Sequence, residues 1–315
     1  MTIHLGVVMD PIQSIHYKKD STLAMLWEAQ SRGYKIEYFE PKDLFLRDGL
    51  PFGLAKRLSL FHDPTHYFSY ESENLIALSE LDVILMRKDP PFNQNYIYIT
   101  YILECAQNNG VLVVNRAQSL RDCNEKFFAT QFPQCMTDTL VTQSKNLLMD
   151  FWHEHGDIVC KPLHNMGGAS VLRLKKEDVN FHVIFDLLTE NSTYIMAQKF
   201  IKEIAQGDKR ILMLNGTAFP YALARVPQEG DWRGNLAVGA IGNVVPLSLH
   251  DQYIAEQVGP LLRAKGLYFV GLDVIGNYLT EINVTSPTGI RELEAATGLS
   301  ICAQLFELIE AELSF

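Results

Sequence analysis

Three oxygen-bearing side chains stand out near the C-terminus, in the stretch GLDVIGNYLTEINV. Glu281 and Asn283 are two residues apart, so both point to the same face of a β-strand. Asp273 faces Glu281 if Gly276–Tyr278 form a three-residue connection, whereas a two-residue turn through Gly276 and Asn277 would need a β-bulge. The flanking apolar residues disfavour a salt-bridged surface hairpin, because a buried carboxylate needs a partner or a metal. Hard oxygen donors of this kind suit Mg²⁺ that shares phosphate oxygens with a nucleotide.

Two arginines flank a strong hairpin signal, the Asn215-Gly216 pair. In a two-residue hairpin Arg210 faces Tyr221, so Arg210 and Arg225 share one face, about four residues apart. Two guanidinium groups on one face can converge on a charged ligand. The following segment PQEGDWRGN, with Arg233, has the composition of a mobile loop that covers a substrate. The alternative is a solvated hairpin with a flexible tip.

Candidate ligand-binding residues also occur in three other places. Lys161 ends an apolar strand, and Gly167-Gly168 follow in a tight connection whose N–H groups can close on a phosphate. A bare Gly-Gly pair is more often an ordinary β-turn, and the P-loop and G-x-G-x-x-G patterns are absent. Two further strands end in polar residues, VVMD in Asp10 and ILMRKDPP in Arg87, Lys88 and Asp89. An Arg-Lys pair at a crevice can hold an anion, although strand ends are also where charges reach water.

The elements that must position these residues follow one pattern up to residue 120. Apolar strands (IHLGVVMD, YKIEYFE, LDVILMRK and VLVVN) alternate with helices, the first capped by Asp20 or Ser21 and closed by Gly33. Such strands predict an α/β domain with a doubly wound parallel sheet, which binds ligands beyond the carboxyl ends of its strands. The segment Phe45–Glu73 lacks a clear period, and we interpret it as an insertion.

After residue 120, where we place the domain boundary, short strands alternate with helices in an α+β pattern. Probable hairpins pair DIVCKPL with ASVLRLK, KRILML with AFPYALARV, and LYFVGLDVI with YLTEINV, while TYIMAQKFI forms another strand. Helical patterns cover Lys145–His155, Glu177–Leu188, Asp251–Lys265 and the closing segment SICAQLFELIEAEL.

Composition and charge exclude several classes of protein. The net charge of −10 argues against nucleic-acid binding through a broad basic face. The five cysteines are scattered without C-x-x-C spacing, so neither zinc nor a disulfide framework is predicted. The N-terminus lacks a signal-peptide pattern, and no apolar run approaches the roughly 18 residues of a membrane span. These features predict a cytoplasmic protein without a membrane partner.

Taken together, several motifs resemble those of the bacterial glutathione synthetases of the ATP-grasp superfamily, over nearly the whole chain. The motifs are MRKDPPF, SLRDCNEK, CKPLHNMGGAS, GDKRIL, ARVPQEGDWRGNLAVGA, GLDVIG and TEINVTSPTGIRE. The resemblance implies an N-terminal α/β domain over residues 1–120 and an ATP-grasp domain over 121–315. In that domain a central lobe (121–200) and a C-terminal lobe (201–315) sandwich ATP between antiparallel sheets, and a lid loop covers 226–241. It also implies a homotetramer.

The resemblance assigns a role to each candidate residue. Nucleotide-binding residues are implied to be Lys126, Lys161, Gly167, Gly168, Gln198, Lys199, Phe200, Ile201 and Asp208. The implied ligands of two Mg²⁺ ions, for which Mn²⁺ is a possible substitute, are Asp273, Glu281 and Asn283. The implied catalytic residues are Arg210, Arg225 and Arg233. Substrate contacts are implied for Asp10, Arg87, Asn235, Ser286, Pro287 and Thr288.

The implied reaction joins γ-glutamylcysteine to glycine, with ATP converted to ADP and phosphate through an acyl phosphate. No general base for the glycine amine stands out in the sequence. One alternative is another carboxylate–amine ligase of the superfamily, of the D-alanine–D-alanine or glutamate-adding type, against which MRKDPPF and TSPTGI argue. A second alternative is a non-catalytic nucleotide-binding interaction protein, which is disfavoured because the metal ligands and arginines are all present.

Overall fold

The computed structural model describes residues 2–163, 171–190, 193–227 and 241–313. A mixed seven-stranded sheet forms the N-terminal part, in the order β3-β4-β2-β1-β6-β7 with β5 paired to β4. Its strands are β1 (His4–Val8), β2 (Lys35–Phe39), β3 (Leu44–Arg47), β4 (Leu50–Leu60), β5 (Phe68–Ala77), β6 (Val83–Met86) and β7 (Leu112–Val114). The accompanying helices are α1 (Ser21–Ser31), α2 (Gln94–Asn108) and α3 (Ala117–Asp122).

The predicted parallel sheet is confirmed for β1, β2, β6 and β7, which pair in parallel. Their apolar side chains are buried on both faces: Leu5 and Val7 pack with α1, whereas Val8 packs with α2 and α3. Asp20 caps α1 by accepting a hydrogen bond from the Leu23 N–H at 2.6 Å. Gly33, at φ +79°, then turns the chain into β2.

The segment interpreted as an insertion is regular, because it forms most of the antiparallel strands β3, β4 and β5 at one edge of the sheet. A register shift between Arg57 and Leu58 interrupts the alternation of buried and exposed residues, which hid the strand period in the sequence. The hairpin end also supports the loop after β1, since the Tyr67 hydroxyl donates to the Ile12 carbonyl at 2.8 Å.

The central part of the chain forms a separate antiparallel sheet in the order β10-β9-β11-β8. The strands are β8 (Thr139–Thr142), β9 (Asp157–Pro162), β10 (Leu172–Lys175) and β11 (Ile195–Lys199), and the helices are α4 (Lys145–His155) and α5 (Phe181–Leu188). The bounds predicted for α4 are confirmed. The helix α5 begins four residues later than predicted, because Asp178 instead closes a turn by accepting from the Lys175 N–H at 2.7 Å.

The C-terminal part forms a third, antiparallel sheet in the order β14-β13-β12-β15-β16. Its strands are β12 (Asp208–Leu214), β13 (Thr217–Val226), β14 (Ile241–Pro246), β15 (Phe269–Ile275) and β16 (Tyr278–Asn283). Its helices are α6 (Leu249–Ala264), α7 (Ile290–Thr297) and α8 (Ile301–Leu313). All three predicted hairpins, β9–β10, β12–β13 and β15–β16, are confirmed.

The apolar cores join the N-terminal and C-terminal sheets into one packing unit. One core contains Val8 of β1 together with Ile282 of β16, and the other contains Leu5 of β1 together with Ile309 of α8. The central sheet instead has its own core around Leu148 and Trp152 of α4. The platform that carries the C-terminal site residues is therefore built from both ends of the chain. Within the four described ranges, no helix is long and apolar enough to cross a membrane.

Asn115 connects the end of β7 to the C-terminal sheet. Its amide nitrogen donates to the carbonyls of Phe269 at 2.8 Å and Val284 at 2.7 Å, and its amide oxygen accepts from the Phe269 N–H at 2.9 Å. Replacement of Asn115 by Ala would leave three buried backbone groups without partners.

We expect Asn115→Ala to lower the free energy of unfolding by about 3 kcal/mol, measured by urea denaturation. The control is Asn109→Ala, which removes an exposed side-chain hydrogen bond to the Cys105 carbonyl and is expected to change stability by less than about 0.5 kcal/mol. Equal losses in the two variants would contradict this role of Asn115.

Candidate active site

Asp273 is the centre of a buried charge cluster on β12, β13 and β15. Arg210 binds its two carboxylate oxygens through Nε at 2.6 Å and Nη2 at 3.1 Å, and Arg225 Nη2 lies 2.9 Å from Oδ1. The Asn283 amide lies 3.1 Å from Oδ2. Burial alone would raise the pKa of Asp273, but the two arginines outweigh it and hold this pKa well below its usual range. Asp273 is therefore a fixed anion.

A bulged hairpin brings Glu281 opposite Asp273. Gly276 and Asn277 form a two-residue turn, so Ile275 pairs with Tyr278, and the register then shifts until Asp273 pairs with Glu281. Of the two geometries left open by the sequence, the structure has the two-residue turn with the correcting bulge. The extra residue is Thr280, whose hydroxyl donates to the Asp273 carbonyl at 3.0 Å. The carbonyl of Thr280 accepts a hydrogen bond from Lys161 Nζ at 3.3 Å.

The shared face predicted for Arg210 and Arg225 is confirmed, since both contact Asp273. The predicted partner was wrong: Arg210 faces Leu223 rather than Tyr221. Two additional residues on β13 shift the register between Ile211 and Met213, and an even shift keeps the side chains on their original face. The arginines are consequently two positions apart rather than four, which lets both guanidinium groups reach one carboxylate.

Two buried lysines approach Glu281 from outside the C-terminal sheet. Lys126 and Lys161 place their Nζ atoms 3.8 and 3.5 Å from Glu281 Oε1. Glu125 also forms an ion pair with Lys126. Its backbone lies beside β16, because its carbonyl accepts a hydrogen bond from the Ile282 N–H at 2.8 Å.

The two lysines differ in their protonation energetics. Burial lowers the pKa of Lys161 despite the nearby Glu281. Burial also disfavours charge on Lys126, but Glu281 and Glu125 overcome it and raise that pKa. Burial, together with Glu281, raises the pKa of Glu125. Lys126 is therefore held charged by two carboxylates, whereas the charge on Lys161 is less well compensated.

Asp208 is a buried carboxylate with a raised pKa and one oxygen that lacks a partner in the described residues. Arg225 Nη2 lies 2.5 Å from its Oδ2, while its buried Oδ1 has no hydrogen-bond partner among the residues that the structure describes. Burial raises the pKa of Asp208 to about 7, even though Arg225 opposes the shift. The orphaned oxygen leaves Asp208 with an acceptor to offer to a ligand.

The predicted hinge lies at the end of β11. Buried Gln198 donates to the Thr139 hydroxyl at 3.1 Å, and the N–H groups of Lys199 and Phe200 donate to the carbonyls of Asp138 and Asp157 at 3.0 and 2.9 Å. Of the four predicted hinge residues, Ile201 has an N–H group without a hydrogen-bond partner in the described part of the chain. This geometry leaves the Ile201 amide available to a planar ligand.

Of the predicted substrate residues that the structure describes, Asp10 and Arg87 follow β1 and β6, and Ser286, Pro287 and Thr288 follow β16. Asp10 forms an ion pair with Lys88 at 2.8 Å and accepts from the Asp89 N–H at 2.9 Å. Buried Arg87 donates through Nη2 to the Pro287 carbonyl at 3.0 Å, and the Ser286 hydroxyl donates to the Arg87 carbonyl at 3.4 Å.

Thr288, the remaining substrate residue in this segment, is exposed. Its carbonyl accepts from Arg210 Nη1 at 3.4 Å, which links the Ser286–Thr288 segment to the charge cluster. Four predicted residues, Gly167, Gly168, Arg233 and Asn235, and most of the predicted lid at 226–241 lie outside the described residues.

Sequence reasoning missed the residues that orient the predicted ones. Asn124 fixes the start of the Glu125–Lys126 segment by accepting from the Lys126 N–H at 3.1 Å and donating to the Leu163 carbonyl at 2.9 Å. The signal was present in the motif NEK, where an amide and an acid precede the candidate lysine. The Thr280 carbonyl accepts a hydrogen bond from Lys161 because of the bulge, and no feature of the sequence indicates this contact.

The side chains around Asp273 fit Mg²⁺ by their donor chemistry. Asp273 and Glu281 are paired across the hairpin, and Asn283 lies on the same face. In the described ranges, no three His, Cys, Asp or Glu side chains form a group that could hold a metal, so the third donor would be the amide oxygen of Asn283. Both oxygens of Asp273 already bind arginines, so a cation here would share this carboxylate with Arg210 and Arg225.

Comparison with solved structures defines the class of protein. An ATP-grasp ligase complexed with a minimal precursor superposes with a TM-score of 0.66 at 17% identity, covering 99% of this chain and 100% of that one. The D-alanyl-alanine synthetase A of Vibrio cholerae superposes with a TM-score of 0.61 at 11% identity, covering 100% and 99%. The fold is that of the ATP-grasp ligases, as predicted.

Comparison of the sequence then defines the family. The family model for the prokaryotic glutathione synthetase N-terminal domain matches residues 3–121, and the model for its ATP-grasp domain matches residues 125–298. The glutathione synthetase of Pseudomonas aeruginosa is 53% identical over 315 residues, covering 100% of this chain and 99% of that protein. That of Vibrio cholerae is 54% identical over 312 residues, covering 99% and 98%. The chain belongs to the prokaryotic glutathione synthetase family.

The cysteines of the chain take no part in the charge cluster that the structure describes. Cys123, three residues before Lys126, is buried, and burial raises the pKa of its thiol to about 11. Burial also raises the pKa of Cys160 to about 12, and those of Cys135 and Cys302. Cys105 is the least buried of the five.

We expect iodoacetamide at pH 8 to alkylate Cys105 first in the native protein, because buried thiols with raised pKa values contain little thiolate. Mass spectrometry of tryptic peptides measures the order of labelling, and labelling in guanidinium chloride, where all five react, is the control. Native labelling of Cys123 as fast as Cys105 would contradict the expected protection.

Proposed function

We propose that this chain is a glutathione synthase, which joins γ-glutamylcysteine to glycine with conversion of ATP to ADP and phosphate. The observation that carries the proposal is the convergence of Arg210, Arg225 and Asn283 on Asp273, opposite Glu281, in a member of this family. A non-catalytic protein would have no need to bury so many charges at one site, because buried charges are costly unless they are used or paired.

The nucleotide end of the proposed site lies between the central and C-terminal sheets. Lys126 and Lys161 neutralise phosphate oxygens, and their buried positions strengthen this interaction. The Ile201 amide and Oδ1 of Asp208, an atom without a hydrogen-bond partner among the described residues, hold the nucleoside. Asp273, Glu281 and Asn283 would hold Mg²⁺, which would neutralise the charge of the transferring phosphoryl group. Gly167 and Gly168, which lie outside the described residues, remain part of the predicted phosphate site.

The reacting end requires two successive displacements. An oxygen of the cysteinyl carboxylate attacks the γ-phosphorus and ADP leaves; the glycine amine then attacks the acyl carbon and phosphate leaves. Arg210 and Arg225 approach from the face of β12 and β13, where they stabilise the negative oxygens that develop in both steps. Arg233 and Asn235, in the proposed lid, complete this end and exclude water from the acyl phosphate.

Arg210 also connects the two ends of the proposed site. Its Nη1 donates to the Thr288 carbonyl, so the same guanidinium group contacts the metal-binding carboxylate and the segment Ser286–Thr288. We assign this segment to the glycine acceptor, and Asp10 and Arg87 to γ-glutamylcysteine. The homotetramer implied by the resemblance is part of the proposal, and sedimentation velocity tests it.

Turnover is the direct test of this function. We expect ADP release to require both γ-glutamylcysteine and glycine, to stop when EDTA removes divalent metal and to return with added Mg²⁺. Arg225→Gln should lower kcat by at least about 100-fold, because it removes a donor to the developing charge. The matched control is Arg32→Gln, which removes a surface ion pair to Glu310 and should leave kcat unchanged.

ADP release with the dipeptide but with alanine or serine in place of glycine would retain the chemistry and reassign the acceptor. Binding of ATP without any turnover would overturn the proposal in favour of an interaction protein.

Gly271 on β15 provides the space in which Arg210 lies. A Cβ atom at Gly271 would come within 2.8 Å of Arg210 Cδ and 3.0 Å of Pro287 Cβ, so it would displace the guanidinium group or the acceptor segment.

We therefore expect Gly271→Ala to lower kcat/KM for glycine by at least about tenfold, measured by ADP release. The matched control is Gly53→Ala, whose Cβ would lie 2.6 Å from the Phe39 ring in the N-terminal sheet. Both substitutions overpack a strand, but only Gly271→Ala should affect the kinetics of the folded enzyme. Equal kinetic losses would contradict a specific role for Gly271.

A further inference from the structure

Two adjacent hydroxyl groups are buried in the first turn of α1. Ser21 is 1% exposed and Thr22 is 4% exposed, which is unusual for small polar residues at the start of a helix. Neither hydroxyl caps the helix, because the Asp20 carboxylate already accepts from the Leu23 N–H. Both side-chain oxygens instead accept hydrogen bonds from distant parts of the chain.

Thr22 fixes the guanidinium group of Arg87. Its Oγ1 accepts from Arg87 Nε at 3.1 Å, while Arg87 Nη2 donates to the Pro287 carbonyl at 3.0 Å. The planar side chain of Arg87, which follows β6, thus connects the start of α1 to the segment after β16. Because a guanidinium group is rigid, fixing Nε also fixes the direction of Nη2.

Ser21 holds the other end of the same segment. Its Oγ accepts from the Ile290 N–H at 3.3 Å, at the first residue of α7. The Ser286 hydroxyl donates to the Arg87 carbonyl at 3.4 Å, so residues 286–290 are held on both sides by the start of α1 and the end of β6.

Arg87 carries a positive charge in a buried position, which points to a role beyond holding the fold together. Arg87 is 5% exposed, and no carboxylate in the described residues lies within ion-pair distance of its side chain. The hydrogen bonds of this buried cation go to neutral oxygens, its guanidinium carbon lies 5.6 Å from the centre of the Phe269 ring, and the charges of Asp89 and Asp20 act on it from a distance. A buried cation without a direct ion pair is costly to keep, which favours a use of Arg87 in ligand binding. The Phe269 ring packs against the guanidinium group, and Thr22 supplies the side-chain hydrogen bond that fixes the direction of Nε.

We propose that Thr22 is a positioning residue for the ligation, which orients Arg87 so that it holds the Pro287 carbonyl and thereby the Ser286–Thr288 segment. The proposal rests on the proposed function, in which this segment receives glycine. In this proposal Thr22, which is buried, acts through its hydrogen bond to Arg87.

The kinetic test compares two substitutions of Thr22. Thr22→Val keeps the branched shape but removes the acceptor, and Thr22→Ser keeps the acceptor. We expect Thr22→Val to raise the KM for glycine or γ-glutamylcysteine about tenfold while the KM for ATP changes less than twofold, and Thr22→Ser to restore both substrate constants to within about threefold. The control is Ser144→Ala, which removes the hydroxyl that caps α4 in the central lobe and should lower stability without changing any KM.

A second readout does not depend on turnover. Hydrogen–deuterium exchange of peptides that cover residues 284–293 should be faster in Thr22→Val and in Ser21→Ala than in the unmodified protein, and unchanged in Ser144→Ala. If the unmodified protein fails to ligate γ-glutamylcysteine and glycine, the proposed function fails, whereas the exchange experiment still tests the positioning role. Thr22→Val with unchanged substrate constants and unchanged exchange would overturn the inference, as would equal defects in Thr22→Val and Thr22→Ser.

Discussion

The attraction between Asp273 and two arginines is the interaction on which the arrangement of the site depends. Arg210 and Arg225 come from neighbouring antiparallel strands, and Asp273 comes from the strand on the other side of β12. If Asp273 were neutral, two buried guanidinium groups on the same face would repel each other at low dielectric. The carboxylate holds them close together, and the same geometry places Glu281 and Asn283 beside it. A single buried anion thus organises the cationic and the oxygen-donor halves of the site.

The C-terminal sheet is packed firmly against the N-terminal sheet, whereas the central sheet is packed separately from both. The C-terminal sheet shares both of its apolar cores with the N-terminal sheet, and Asn115 ties the two together through three buried hydrogen bonds. The central sheet has a core of its own, and Lys161 is its contribution to the cluster. A ligand between the central and C-terminal sheets would therefore contact two bodies that are packed independently, an arrangement that suits a site that opens and closes around its ligand.

The sequence predicted what depends on local pattern and missed what depends on register. The parallel strands, the three hairpins and the helix Lys145–His155 follow from apolar periodicity and turn residues, and they are confirmed. The partner of Arg210 was wrong, because the extra residues in β13 leave no mark in the amino-acid pattern. The bulge at Thr280 was recognised as a possibility, but the choice between it and a longer turn is set by tertiary packing. Thr22 was overlooked since its role arises from contacts with residues far along the chain.

The joint cores also have a consequence for biosynthesis. The first strand, β1, shares a core with the last helix, α8, so Leu5 and Ile309 are neighbours in the same apolar cluster. A chain that emerges from the ribosome N-terminus first must keep part of the first sheet uncovered until almost the whole polypeptide has been made. The central sheet, whose strands and helices lie between residues 139 and 199, can complete its core much earlier. The first sheet is therefore made before the central part of the chain but can complete its burial only after it.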